Sequence, residues 1–210
     1  MTNRKLVRGD FLERLKEIAR QRPAGILLRE KDLTPEEYRK LAREVQSICK
    51  KAGVPCILHS FTGVAEELEA DALHLPLPLL RKLPGEDRGR FRQLGASCHS
   101  VADAREAQSL GCTYITAGHI FDTDCKRGLP GRGLDFLREV CGAVTIPVYA
   151  IGGIEPKRMA EIFAAGAAGA CVMSGPMVCG DVGTYFADFA GAGKAAAAAV
   201  SGETEAPSEK

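Results

Sequence analysis

The sequence predicts a single-domain α/β fold, a (β/α)8 barrel of the TIM type, and three observations predict it. Short apolar runs alternate along the chain with longer segments of helical period, a pattern that builds a parallel sheet with right-handed crossovers. The runs are four to six residues long and rich in small or apolar side chains, as strands buried on both faces are. No G-x-G-x-x-G opens the first strand–helix unit, as an open nucleotide-binding sheet would have it. With 210 residues, the chain is near the lower limit of about 200 for such a barrel. Residues 1–190 are therefore assigned to the barrel. Residues 191–210, low in complexity, are assigned to a frayed helix and flexible tail.

The expected strands are Ala24–Leu28, Pro55–His59, Ala72–Leu75, Gly95–Cys98, Thr113–Ala117, Ile146–Ile151 and Ala168–Met173, with Met1–Asn3 as a clipped first strand completing eight. Helices announce themselves between them. Phe11, Leu12, Leu15, Ile18 and Ala19 share one face. Thr34-Pro35-Glu36-Glu37 is a capping box with proline at the first helical position, followed by Leu41, Val45, Ile48 and Ala52. Ser100 with Asp103 opens another helix, and Glu155-Pro156 opens one whose apolar face is Met159, Ile162 and Phe163. Gly53, Gly111 and Gly166 are expected to end three helices.

Composition narrows the functional classes. The chain has 28 basic and 27 acidic residues and a formal net charge of +1, without the clustered positive excess of a nucleic-acid or membrane-surface protein. Its eight cysteines are scattered singly with no C-x-x-C pair, which disfavours a zinc site and suits free thiols in a reducing compartment. No apolar run approaches the roughly 20 residues of a membrane span. The opening M-T-N-R-K-L-V-R-G-D lacks the apolar region of a signal peptide. A cytoplasmic location is expected.

Barrel enzymes carry their chemistry at the C-terminal ends of the strands. Arg29 and Lys31, His59 and Ser60, Pro76 to Pro78, Ser97 and His99 occupy such positions. So do the long loop Gly118–Gly131, Gly152-Gly153, and Met173-Ser174-Gly175. The two last glycine-bearing loops have the form of a phosphate site, where backbone N–H groups approach an anion. The loop G-H-I-F-D-T-D-C-K-R-G-L-P-G reads as a lid. His119 stands at its root, with an imidazole suited to moving protons near neutral pH. Thr123 and Lys126 on the same loop are candidate ligands for an anionic substrate; Cys125 lacks a visible activator. Asp122 and Asp124 read as a solvated charge cluster rather than a metal site, and His74 as a packed core histidine. Neither metal nor cofactor is expected.

Seven collinear segments resemble the thiamine phosphate synthase superfamily: T-N-R-K-L at the start, L-L-R-E-K-D-L at Leu27–Leu33, A-D-A-L-H-L at Ala70–Leu75, G-A-S-C-H-S at Gly95–Ser100, the His119 loop, A-I-G-G-I at Ala150–Ile154, and A-G-A-A-G-A-C-V-M-S at Ala165–Ser174. The synthase branch displaces pyrophosphate from an aminopyrimidine with Mg²⁺, using Asn-Asp after the third barrel strand and a Gln with a nearby Asp after the fourth. This chain has His59-Ser60 and Leu75-Pro76-Leu77-Pro78 there, with no carboxylate to anchor a hard cation. Where the synthase has Gly-Pro-Ile-Phe, this chain has Gly118-His119-Ile120-Phe121, which is similar to the thiazole tautomerase (TenI-type) branch. That resemblance implies a metal-independent isomerase in which His119 moves a proton to aromatise a carboxythiazole phosphate. Arg29, Lys31, Ser97, Thr123, Lys126, Gly152, Gly153, Met173, Ser174 and Gly175 would bind that small phosphorylated thiazole, and a homodimer is compatible with it. The alternatives are the Mg²⁺-dependent synthase and a non-catalytic sensor of a thiamine precursor.

Overall fold

A computed structural model describes residues 1–126 and 128–201, without the side chains of Cys125 and residues 194–201. A single curled sheet of seven strands runs in sequence order, every neighbouring pair parallel. Its strands are β1 (Ile26–Leu28), β2 (Cys56–His59), β3 (Ala72–Pro76), β4 (Gln93–Cys98), β5 (Tyr114–Gly118), β6 (Val148–Ile151) and β7 (Gly169–Cys171). Helices α1 (Phe11–Arg20), α2 (Pro35–Ala52), α3 (Thr62–Glu67), α4 (Leu77–Lys82) and α5 (Gly85–Arg88) accompany the first half. The second half carries α6 (Val101–Ser109), α7 (Gly133–Ala143), α8 (Met159–Ala164), α9 (Ser174–Val178) and α10 (Val182–Ser201). The expected tail beyond Ser201 lies outside the described residues.

All seven expected strands form within about two residues of their assigned ends, a normal boundary scatter. The eighth does not. Met1–Asn3 contributes one bond to each free edge: the N-terminal ammonium donates to Val172 O at 3.0 Å and Thr2 N–H to Leu27 O at 2.9 Å. Asn3 then accepts from Lys5 N–H and turns the chain into a 3-10 helix, Arg4–Leu6. The sheet is therefore open at a seam between β7 and β1 rather than a closed eight-stranded barrel.

Capping follows the residue chemistry. Thr34 and Glu37 satisfy each other's backbone N–H groups in a complete capping box, and α2 ends at Gly53 in the left-handed conformation. Ser100 accepts from Asp103 N–H at 3.0 Å, while the Asp103 carboxylate reaches one residue further back, to His99 N–H at 2.8 Å. The buried stripe of α2 is Tyr38, Ala42, Val45 and Cys49, not the stripe through Leu41, Ile48 and Ala52, which are half-buried. Tyr38 moves the register: its hydroxyl donates to Leu28 O at 2.7 Å and accepts from His59 N–H at 2.9 Å, which ties together the C-terminal ends of β1 and β2.

Inside the sheet, His59, His74, Gly95 and Tyr114 stand in one row of the register. A Cβ on Gly95 would collide with the Tyr114 ring. Glycine there lets the Tyr114 hydroxyl cross to His74 Nδ1 at 3.0 Å, while His74 Nε2 meets Ser97 Oγ at 2.9 Å. Burial pushes His74 down to about 3, with the N-terminal ammonium adding to the shift. Burial, then His74, Lys31 and Arg29, push His59 down to about 2. Both imidazoles are neutral at pH 7. At the opposite, N-terminal end of the strands, a cavity of about 390 Å³ opens beside the seam, walled by Leu15, Leu27, Ile57, Tyr149 and Phe186 among others.

Candidate active site

The β1–α2 segment Arg29–Asp32 alternates in direction. Glu30 and Asp32 face the N-terminal segment, where Arg4 Nη1 donates to Glu30 at 3.1 Å and its guanidinium forks onto Asp32 at 2.7 and 2.8 Å. Arg29 and Lys31 follow the C-terminal end of β1. Partial burial, then the charges of Arg29 and Lys126, lower the Lys31 pKa, and Lys31 and Arg29 both act on His59. The β1–α2 loop and the loop after β5 thus bring Lys31 within electrostatic range of both Arg29 and Lys126, and Arg29 and Lys31 within range of a neutral imidazole.

The loop after β5 is tied at its root. Arg132 N–H donates to His119 O and Gly133 N–H to Ile120 O, each at 2.9 Å, and Gly131 N–H donates to Asp122 Oδ1 at 2.7 Å. A 3-10 turn, Asp124–Lys126, forms its tip. The Gly118–His119 peptide is cis. His119 is half-buried, and its Nε2 lies 3.1 Å from Leu129 O. A carbonyl only accepts, so Nε2 carries the proton in that bond. His99 Nδ1 likewise donates to Gly118 O at 2.8 Å.

Gly152 and Gly153 have φ of +98° and +64°. A Cβ on Gly152 would collide with His119, and one on Gly153 with the Asp122 carbonyl and Phe121. These glycines thus seat the neighbouring loop, a packing role that a phosphate-site pattern does not distinguish from anion binding. Arg158 lies over the Phe121 ring at 4.0 Å to the centroid and pins the same loop. Met173 caps α9, which Ser174 and Gly175 open, and Gly175 leaves room for the Tyr185 ring. Ser97 is held by His74. Thr123 O accepts from Lys126 N–H at 2.9 Å. His74 is packed in the core as expected, and its ring lies 5.8 Å from that of His59, a pairing that sequence reasoning did not anticipate; it also missed the carboxylate of Glu30. A parity argument on R-E-K-D, alternate residues facing opposite ways, could have found the latter.

Ser60 and the run Leu75 to Pro78 offer no carboxylate to anchor magnesium. No helix among the described residues is long and apolar enough to cross a membrane.

A family model described as thiamine monophosphate synthase matches residues 1–175. The chain belongs to that family. It is 32% identical over 189 residues to the thiamine-phosphate synthase of Syntrophomonas wolfei, covering 87% of this chain and 88% of the relative. It is 38% identical over 165 residues to that of Moorella thermoacetica, covering 75% and 76%. A thiamine phosphate pyrophosphorylase structure from Pyrococcus furiosus superposes with a TM-score of 0.80 at 26% identity, covering 93% of this chain and 94% of the other. These relatives are synthases, which are group-transfer enzymes. They correct the isomerase assignment drawn from His119 and the missing carboxylates.

Proposed function

We propose that this chain is a transferase of the thiamine-phosphate synthase class. It would join a small phosphorylated thiazole to an aminopyrimidine diphosphate and release pyrophosphate. The observation that carries this reading is Lys31 within electrostatic range of both Arg29 and Lys126, beyond the C-terminal ends of β1 and β5, in a chain whose relatives bear the synthase name. A leaving diphosphate gathers negative charge as its bond to carbon breaks, and fixed cations aimed at that charge lower the barrier. Arg29 offers a planar fork of donors, whereas the lysines act as point charges.

In this reading Gly152, Gly153, Ser174 and Gly175 hold the thiazole phosphate through backbone N–H groups, with Ser97, Thr123 and Met173 lining the space between. Displacement of pyrophosphate by the thiazole needs no proton relay through His119. Its imidazole, engaged with Leu129 O, orients the loop that carries Lys126. The seven described cysteines are free thiols, which suits a cytoplasmic enzyme.

The purified chain, incubated with the pyrimidine diphosphate and the thiazole phosphate, is expected to form thiamine phosphate, followed by chromatography. The Lys31→Gln variant should raise KM for the diphosphate substrate. No product from the unmodified chain under any divalent-ion condition sinks the proposal.

A further inference from the structure

Lys31 is repelled by Arg29 and Lys126, and Arg29 and Lys31 lie on the segment between β1 and α2. Something must hold that segment. Glu30, only 2% exposed, accepts from the Thr2 hydroxyl at 2.7 Å, from Arg4 N–H at 3.0 and 3.2 Å and from the Arg4 guanidinium at 3.1 Å. Thr2 Oγ1 in turn accepts from Arg29 N–H at 3.0 Å. Arg4 continues outward onto Asp32, which Lys5 also meets at 3.0 Å. The chain is thereby gripped on both sides of Lys31 and at the backbone of Arg29.

A buried carboxylate in this setting is costly unless it is fully paired, and here its oxygens are filled by one hydroxyl, one backbone N–H and one guanidinium. None of its partners faces the mouth. We infer that Glu30 and Arg4 are positioning residues: their ion pair, half-buried on the Arg4 side and buried on the Glu30 side, fixes the Arg29–Lys31 backbone so that both cations meet the diphosphate of the substrate without first being ordered. The inference rests on the transferase reading for the identity of that anion. It assigns the pair no contact with substrate and no part in bond breaking. Preorganisation of this kind appears in binding, because cations left mobile must lose that freedom when the anion arrives.

The test uses the full chain and inorganic pyrophosphate, titrated calorimetrically well below the thermal midpoint of every variant. Glu30→Gln keeps the size of the side chain but breaks the charge pairing, and should weaken pyrophosphate binding about tenfold, as loss of a charge-assisted hydrogen bond does. Arg4→Gln should match it. Arg4→Lys, which preserves the charge, should recover most of the affinity, and Lys5→Gln, which touches only exposed Asp32, should bind like the unmodified chain. In turnover the first two variants should raise KM for the diphosphate substrate and leave kcat nearly unchanged. If Glu30→Gln fails to fold, the Arg4→Gln and Arg4→Lys pair decides. Lower thermal stability with unaltered pyrophosphate affinity overturns the positioning role and leaves the transferase reading intact. No pyrophosphate binding by the unmodified chain overturns both.

Discussion

The centre of the sheet and its seam are built differently. From β3 to β5 each strand pairs on both sides, with five registered residue pairs between β3 and β4 and four between β4 and β5. Leu73, Leu75, Leu94 and Ile115 there are fully buried. At the seam, β7 and β1 are three residues each, no ladder joins them, and Met1 and Thr2 bridge the gap with single bonds beside an apolar cavity. Yet the clamp that holds the proposed diphosphate cations belongs to the seam. The centre supplies stability, whereas the seam supplies the segment whose placement we propose to govern binding.

The largest expected effect is a pH effect, carried by His74 in the centre and by its neighbour His59 on β2. His59 and His74 titrate near 2 and 3 in the folded chain against about 6.5 when unfolded. Between those values the unfolded chain binds more protons, so stability is fully present above about pH 6.5 and is lost as pH falls toward the folded values. Each histidine contributes a slope of up to about 1.4 kcal/mol per pH unit. Urea midpoints measured from pH 7.5 to 4.5 should fall steeply, and His74→Gln should flatten the curve. An unchanged slope in a folded variant means that this imidazole is not buried neutral.

Packing should separate the regions next. Leu73→Ala, in the fully paired centre, should cost about 2–5 kcal/mol. Leu27→Ala, beside the cavity, should cost less, because a site that already borders a void loses fewer contacts. Equal costs by urea unfolding would erase the contrast between centre and seam. Tyr38→Phe follows at about 1–3 kcal/mol, since it strands the buried His59 N–H and Leu28 carbonyl; the same variant should shift pyrophosphate affinity far less than Glu30→Gln.

This contrast also explains what the sequence disclosed. The seven strands were legible because stretches such as Ala72–Leu75 and Ile115–Ala117 are buried and leave short runs rich in small or apolar side chains. The eighth was not, because Asn3 bonds locally to Lys5 N–H, and such a short polar side chain competes with ladder formation. Arg29 and Lys31 were readable as cations at a strand end, and Lys126 as a cation on the long loop after another. Glu30 was hidden inside a charged run, where burial leaves no trace in composition. The paired glycines carry a packing role that the pattern does not show: a Cβ on Gly153 would meet the Asp122 carbonyl and Phe121, so Gly153→Asp should disturb the fold itself.

The smallest effect lies at the border of the two regions. Thr34 begins α2 directly after the clamped segment, and its hydroxyl accepts from Glu37 N–H at 3.3 Å while Glu37 accepts from Thr34 N–H at 2.8 Å. That second bond is the main cause of the lowered Glu37 pKa. Thr34→Ala removes one half of the box and should cost about 1 kcal/mol of stability. Asp32 is held by Arg4 and Lys5 independently of the helix start, so the position of Lys31 should survive and pyrophosphate affinity should stay within about twofold, well under a kcal/mol. A calorimetric titration of Thr34→Ala beside its urea curve separates the two quantities. Loss of affinity comparable with that of Glu30→Gln would show that α2, and not the seam, sets the cations in place.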